Sequence, residues 1–206
     1  RLSQWAPDPQ NTGERANLNW QLKGSNLELI VWARGASEKG KPPIRANLNS
    51  LQAMILIEHI RLVADSQSKD FRDLPLKNMR KSNKDDPDSQ KEMYDQATVR
   101  VVKTSEGLVQ IGIFDADESR SRILFPFLLD RWTGLVKHSG EPLNQSEVSV
   151  MVAKCYANIL HDVIIREMEI TSNTENNQRY QTTVKPIQTY KKPSASDINS
   201  FEDITF

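Results

Sequence analysis

The segment from Ala97 to Phe127 limits the fold of this chain more than any other stretch. It reads ATVRVVKTSEGLVQIGIFDADESRSRILFPF, in which SEG and DADES separate three runs rich in β-branched and aromatic residues. This pattern predicts a meander of antiparallel strands. A fold in which strands alternate with helices does not fit it.

Alternation of apolar and polar residues predicts three further strands, with the sequences ANLNWQL, LELIVWAR and IRANL. Trp20 shares a face with Leu18 and Leu22, so we expect it in the core. Residues 1–15 contain Pro, Asn, Asp and Gly and are expected to form an irregular N-terminal arm.

Two helices are predicted. Asn49 or Ser50 can cap LQAMILIEHIRLVA, whose apolar residues surround most of the circumference and indicate heavy burial. Asn144 and Glu147 have the spacing of a capping box, and a helix follows to about Met168. Its apolar stripe consists of Val148, Met151, Val152, Cys155, Tyr156, Ile159, Leu160 and Val163.

Strands followed by helices predict an α+β fold with antiparallel β-sheets and two helices. We expect one folded domain over residues 16–170, with a mobile loop near residues 80–95. After about Thr171 no segment repeats an apolar face, which predicts a disordered tail over residues 171–206.

Composition restricts the function only weakly. Lys plus Arg and Asp plus Glu each number 27, so the net charge neither favours nor excludes a nucleic-acid partner. No apolar run approaches the roughly 20 residues that span a bilayer, and we expect no membrane association. The single cysteine, Cys155, fits a reducing compartment such as the cytoplasm, and its place in the apolar stripe predicts a core residue.

Signals for catalysis are weak. Asp115 and Asp117 form an Asp-x-Asp pattern similar to the nucleophile motif of haloacid-dehalogenase-type phosphatases, but they lie between two strands of the meander. A hairpin turn is expected there, and a carboxylate metal or phosphoryl site is the alternative. No pair among His59, His138 and His161 has the spacing of a metal site. We expect no enzymatic activity, no metal and no cofactor.

A binding surface is better supported by the sequence. Alternation places Trp32 and Arg34 together on the outer face of their strand, where a ring can stack on a base and a cation can meet phosphate. The other basic candidates for nucleic-acid contact are Lys39, Lys41, Arg45, Arg80, Lys81, Arg100, Arg120 and Arg122. The alternative is that these are solvated charges on an exposed sheet and that another element covers Trp32.

The end of the chain, SFEDITF after a Ser/Asn-rich stretch, resembles the acidic tip of bacterial and bacteriophage single-stranded-DNA-binding proteins. It departs from the bacterial pattern at Ile204-Thr205, where those tips have Ile-Pro. The resemblance implies recruitment of replication and recombination proteins through Phe201, Glu202, Asp203, Ile204 and Phe206. A plain solubilising terminus is the alternative.

The stretch KGKPPIRANL is similar to the Lys-Gly-Lys-Ala-Ala-Leu segment of the whirly family of single-stranded-DNA-binding domains. Lys39, Gly40, Lys41 and Ile44 match that segment, whereas prolines replace its alanines. The resemblance implies a whirly-like topology of two strands-then-helix units. An oligonucleotide-binding (OB-fold) β-barrel with added helices is the alternative.

These features predict sequence-independent binding of single-stranded DNA during replication or recombination, in the host cytoplasm if the protein is phage-encoded. The second helix is expected to offer a surface for a homo-oligomer. The competing function is that of an interaction or virion-associated structural protein that does not bind DNA.

Overall fold

The computed structural model describes residues 2–8, 11–24, 26–33, 40–81, 91–129 and 133–183. Within these residues the chain forms four strands and a helix, and then four strands and a helix again. The elements are β1 (Leu2–Asp8), β2 (Asn11–Lys23), β3 (Asn26–Trp32), β4 (Ile44–Leu48), α1 (Ser50–Asp65), β5 (Asp70–Lys81), β6 (Lys91–Lys103), β7 (Val109–Asp115), β8 (Leu124–Pro126) and α2 (Gln145–Thr183).

The strands form two antiparallel four-stranded sheets, ordered β1-β2-β3-β4 and β5-β6-β7-β8. Helix α1 lies between the two meanders in the chain, and among the described strands none of the first sheet pairs with one of the second. The two sheets meet where β1 contacts β8 and where β4 contacts β5, β6 and β7. The α+β prediction is confirmed. The OB-fold alternative is wrong, since over the described residues the sheets do not close into a barrel.

The core lies between the inner faces of the two sheets and the two helices. Trp20 is only 2% exposed, as its alternation with Leu18 predicts, and its ring packs against those of Phe127 and Tyr156. Burial of such large apolar side chains is the main stabilising contribution to a domain of this kind.

Side-chain hydrogen bonds fix the helix ends that the sequence predicts. The Asn49 side chain accepts from the Gln52 backbone N–H, and the Gln52 side chain accepts in return from the Asn49 N–H. Asn144, directly before α2, and Glu147, in its first turn, form a similar reciprocal pair at the start of that helix. At the other end of α1, Lys103 Nζ donates to the Ala64 carbonyl, so a β6 side chain satisfies an otherwise free acceptor.

The structure differs from the predicted organisation in three segments. Residues 1–15 were expected to form an irregular arm, but they contain β1 and the start of β2. Pro7 is compatible with β1 because β1 is an edge strand of its sheet. Part of the predicted loop near residues 80–95 belongs to strands, since β5 extends to Lys81 and β6 begins at Lys91. Residues 171–183 are helical, as α2 continues through a polar stretch. Residues 82–90 and 184–206 lie outside the described part of the chain.

The buried face of α2 includes Val152 and Leu160 of the predicted stripe, whereas Met151, Cys155, Ile159 and Val163 of that stripe are exposed. It is centred on the small residues Ser149, Ala153 and Ala157, and Ser149 Oγ accepts from the Val109 N–H at 2.9 Å. The small Ser149 side chain thus joins the helix to β7. The prediction that Cys155 is a core residue is therefore wrong, since Cys155 is exposed.

The chain divides into two compact units, residues 1–171 and residues 172–206. The first contains both sheets, α1 and residues 145–171 of α2. Of the second, residues 172–183 are described, and they are helical.

Candidate nucleic-acid interface

The outer face of the first sheet carries two exposed tryptophans in one cross-strand row. Trp5 on β1 lies opposite Asn17 on β2, and Asn17 lies opposite Trp32 on β3. Trp5 is 56% exposed and Trp32 is 49% exposed. Neighbouring strands are about 4.8 Å apart, so the strands that carry the two indoles are separated by about 10 Å. This row therefore offers two aromatic rings to solvent.

Cations on the same face converge on one carboxylate. Glu28 Oε2 accepts from Lys23 Nζ and from Gln21 Nε2, both at 2.6 Å, and Oε1 accepts from Arg45 Nη1 at 2.7 Å. Burial by itself raises the pKa of Glu28, but the hydrogen bonds from Lys23, Gln21 and Arg45 outweigh it and hold the pKa below its ordinary value. Glu28 is thus ionised at neutral pH and orders both cations. We call these four residues the Glu28 cluster.

The outer face of the second sheet carries a stack of alternating arginine and phenylalanine side chains. The Arg100 guanidinium lies 4.9 Å from the Phe71 ring centroid and 5.5 Å from that of Phe114, and the Arg122 guanidinium lies 5.7 Å from the Phe114 centroid. Arg100 also forms a bidentate pair with Asp73, with both N···O distances at 2.6 Å.

Phe114 depends on the glycine beside it. A Cβ added at Gly112 would approach a Phe114 ring atom to 2.9 Å and the Ile123 carbonyl oxygen to 2.7 Å. Gly112 therefore leaves the space in which the ring lies over the sheet. An open groove of about 370 Å³ next to it is lined in part by Phe114, Arg100 and Arg122.

Polar contacts connect the two sheets beside these faces. Gln96 Nε2 on β6 donates to the Arg45 carbonyl at 3.4 Å, and Lys41 Nζ donates to Ser119 Oγ at 3.4 Å. Arg120 donates to the Pro42 carbonyl at 2.7 Å, and its side chain is only 9% exposed. Arg120 thus fastens the turn after β7 to the segment before β4 and offers little surface to a ligand.

The structure brings some of the predicted contact residues together and separates others. Trp32 and Arg45 share the outer face of the first sheet, Arg100 and Arg122 share that of the second, and exposed Lys41 lies at the junction. Arg80 and Lys81 lie on β5. Outside the described residues are Arg34, Lys39, Phe201, Glu202, Asp203, Ile204 and Phe206.

Four aromatic or basic residues of these faces were missed by the sequence analysis. Trp5 lies in the stretch predicted to be irregular, and Lys23 ends its strand beyond the alternating run. Phe71 and Phe114 lie on the outer face of the second sheet. The alternation of Phe114 with the core residues Ile111 and Ile113 was a usable signal for its outward position.

The Asp-x-Asp segment forms a turn, as predicted. The Asp115 carboxylate accepts from the Asp117 N–H at 2.9 Å, and the Asp117 carboxylate accepts from the Ser119 N–H at 2.9 Å. Hydrogen bonds from the Ser119 hydroxyl and backbone lower the pKa of Asp117. Within the described ranges no group of three or more His, Cys, Asp or Glu side chains is arranged to hold a metal ion.

Helix α2 has a second apolar face that stays exposed. Met151, Ile159 and Val163 are 45%, 48% and 37% exposed. Over residues 145–172 this is the one helix of the described chain that is long and apolar enough to cross a membrane, by length and composition alone. Its opposite face is a core face, where Ala153 and Ala157 are fully buried.

Comparisons of the chain with protein-family models, with curated proteins and with solved structures found no match.

Proposed function

We propose that this chain is a non-enzymatic protein that binds single-stranded DNA without sequence preference and acts in replication or recombination. The observation that carries the proposal is the row of Trp5, Asn17 and Trp32, which exposes two indoles on the face that holds Lys23 and Arg45. Unpaired bases stack on exposed aromatic rings irrespective of their identity, and cations beside the rings meet the phosphates.

We infer that the outer face of the second sheet also contributes to DNA binding. Phe71 and Phe114 offer rings, and Arg100 and Arg122 lie over those rings with their charges at the surface. Each of these arginines also has a carboxylate partner, Asp73 or Glu118. Because these charges are already compensated, we assign the first sheet the leading electrostatic contribution and the second a stacking contribution.

The repeated order of four strands and a helix supports a whirly-like topology for the domain. The resemblance of KGKPPIRANL to the whirly segment and the exposed aromatic surface favour the same class of ligand.

The C-terminal tip has a separate proposed role. An acidic segment ending in Phe206 is repelled by DNA phosphates and attracted to the cations of the binding face, while its terminal aromatic residue can anchor in an apolar pocket of a replication or recombination protein. Deletion of residues 197–206 should therefore tighten DNA binding, most strongly at low salt. Unchanged affinity would refute competition between the tip and DNA.

The exposed apolar face of α2 supports self-association. Met151, Cys155 and Ile159 follow one another at one helical turn and face solvent. Light scattering on the wild type and on Ile159→Glu tests this: a homo-oligomer that uses this face should dissociate in the variant, and equal masses would exclude it.

The experiment that tests DNA binding is an anisotropy titration of the full chain with a labelled dT oligonucleotide at increasing salt. Binding should be tight at low salt and weaken steeply as salt rises. Trp32→Ala and Trp5→Ala should each weaken it by roughly 1–3 kcal/mol if one base stacks on each ring. Leu51→Ala is the matched control, because Leu51 is 70% exposed on α1.

The alternative function, an interaction or virion-associated structural protein, predicts flat titrations. An absence of dT binding by the wild type at low salt would exclude the DNA proposal. Loss of affinity in Leu51→Ala equal to that in Trp32→Ala would show that the tryptophan row is not the contact surface.

A further inference from the structure

Glu28 is a buried acidic residue on the outer face of the first sheet, where Asn19 and Ile30 are also buried and Trp5 and Trp32 are exposed. Its side chain is 5% exposed, although it points to the outer side of β3, opposite Gln21 on β2 and Asn47 on β4. A carboxylate in this position opposes the approach of a polyanion. Burying it also costs free energy unless donors compensate.

The two cations that compensate Glu28 remain open to solvent. The Lys23 side chain is 62% exposed and that of Arg45 is 45% exposed, and each uses one donor atom for the carboxylate. Lysine has three N–H donors and arginine has five, so both retain donors for a phosphate. A strand of DNA can therefore meet the two cations without displacing the carboxylate beneath them.

The charges of the cluster do not balance. Two cations share one carboxylate, which leaves one net positive charge where the same cations alone would present two. Arg100 differs, because it has the Asp73 carboxylate to itself. The Glu28 cluster is thus a partly neutralised cationic site beside the tryptophan row.

We propose that Glu28 attenuates the attraction of this face for single-stranded DNA: its carboxylate cancels one of the two positive charges that Lys23 and Arg45 present to phosphate. The inference rests on the proposed function and adds a device that limits the affinity of the site. Glu28 holds the two cations in place and weakens their electrostatic attraction for phosphate, so a bound strand can be released.

A charge series tests the proposal by anisotropy with labelled dT at several salt concentrations. Glu28→Gln should bind several-fold more tightly than the wild type at low salt. The slope of log affinity against log salt should become more negative by about 0.7, the contribution of one further phosphate contact on a single strand. Lys23→Gln and Arg45→Gln should each weaken binding and flatten the slope by a similar amount.

The double variant Lys23→Gln/Glu28→Gln restores the net charge of the cluster and should return the affinity and slope to near the wild-type values. If Glu28→Gln fails to fold by circular dichroism, this double variant still tests the proposal, since it must bind more tightly than Lys23→Gln alone. The matched control is Glu58→Gln, which removes a charge from α1, where Glu58 pairs with Arg61.

The outcomes separate this inference from the function on which it rests. If Trp32→Ala weakens binding but Glu28→Gln leaves it unchanged or weaker, attenuation is overturned and DNA binding stands. Equal tightening in Glu58→Gln and Glu28→Gln would assign the effect to net charge and also overturn it. If the wild type does not bind dT, the proposed function fails and the inference fails with it.

Discussion

The indole Nε1 of Trp20 donates a hydrogen bond to Oε1 of Gln4 at 3.0 Å, in the interior of the domain. Gln4 is 6% exposed, and its Nε2 donates in turn to the Pro126 carbonyl at 3.3 Å. One amide therefore links β1, β2 and β8, and it does so where the two sheets meet. Gln4 Oε1 accepts from the indole N–H and Gln4 Nε2 donates to the Pro126 carbonyl, which explains why both side chains are tolerated in an apolar core.

Replacement of Gln4 by Leu should destabilise the domain. The Trp20 N–H loses its acceptor in a buried site, and an unsatisfied donor there costs about 1–3 kcal/mol. Urea unfolding followed by circular dichroism measures the effect. Gln67→Leu is the control, because Gln67 is exposed after α1 and should change stability by less than about 0.5 kcal/mol. Equal stabilities for Gln4→Leu and the wild type would show that the link is not needed.

Alanine substitutions at two glycines with positive φ distinguish the cost of backbone strain from the cost of steric overlap. Gly107 (φ +82°) and Gly140 (φ +87°) have similar backbone conformations. A Cβ added at Gly107 would lie 2.8 Å from Ser146 Cβ, whereas a Cβ added at Gly140 would have no neighbouring heavy atom within 4 Å. Gly140→Ala should cost about 1–2 kcal/mol from the left-handed backbone alone. Gly107→Ala should cost about 1–3 kcal/mol more, because α2 must move. Similar unfolding free energies for the two variants would contradict close packing of this turn on α2.

The sequence was sufficient for most of the fold because its periodicities are strong. Alternation alone placed Trp20 inside and Trp32 outside, and the spacing of Asn144 and Glu147 located the start of α2. The alternation of apolar and polar residues did not predict β1, because its inward positions include Gln4 and Ala6 and so do not form an apolar pattern. The inward orientation of Gln4 depends on its partner Trp20, which is distant in sequence.

The candidate site was less accessible from the sequence than the fold. Arg45 was correctly placed on an outer face, but the carboxylate that orders it, Glu28, lies on another strand, and only the register of β3 against β4 brings them together. The face of α2 was misjudged for a related reason. The helix has two apolar faces, and the one that packs on the core carries Ala153 and Ala157 together with larger residues.

The ring of Phe114 should contribute to DNA binding on the second sheet. Phe114→Ala removes the ring beneath Arg100 and Arg122, so it should weaken binding of a long dT oligonucleotide by roughly 1–3 kcal/mol and affect a short one less. Leu62→Ala is the control, since Leu62 is 43% exposed on α1. Equal losses for long and short oligonucleotides would show that the two sheets do not form successive parts of one binding surface.

Tyr156 should make the domain sensitive to alkaline pH. Desolvation raises the pKa of its phenol above the ordinary value of 10.0, because its ring packs against Trp20 and Phe127. A raised folded-state pKa means that the unfolded chain loses this proton first, so the contribution to stability is complete below about pH 10 and is lost as the pH rises from there toward the folded-state value. Urea midpoints measured from pH 8 to pH 11 should therefore fall more steeply for the wild type than for Tyr156→Phe, which has no phenol to ionise.

Below pH 9 the difference between the two proteins should be constant, since neither ring then changes its charge. Parallel curves over the whole range would mean that the phenol ionises equally in the folded and unfolded chains, and that its packing against Trp20 and Phe127 does not exclude water from the hydroxyl.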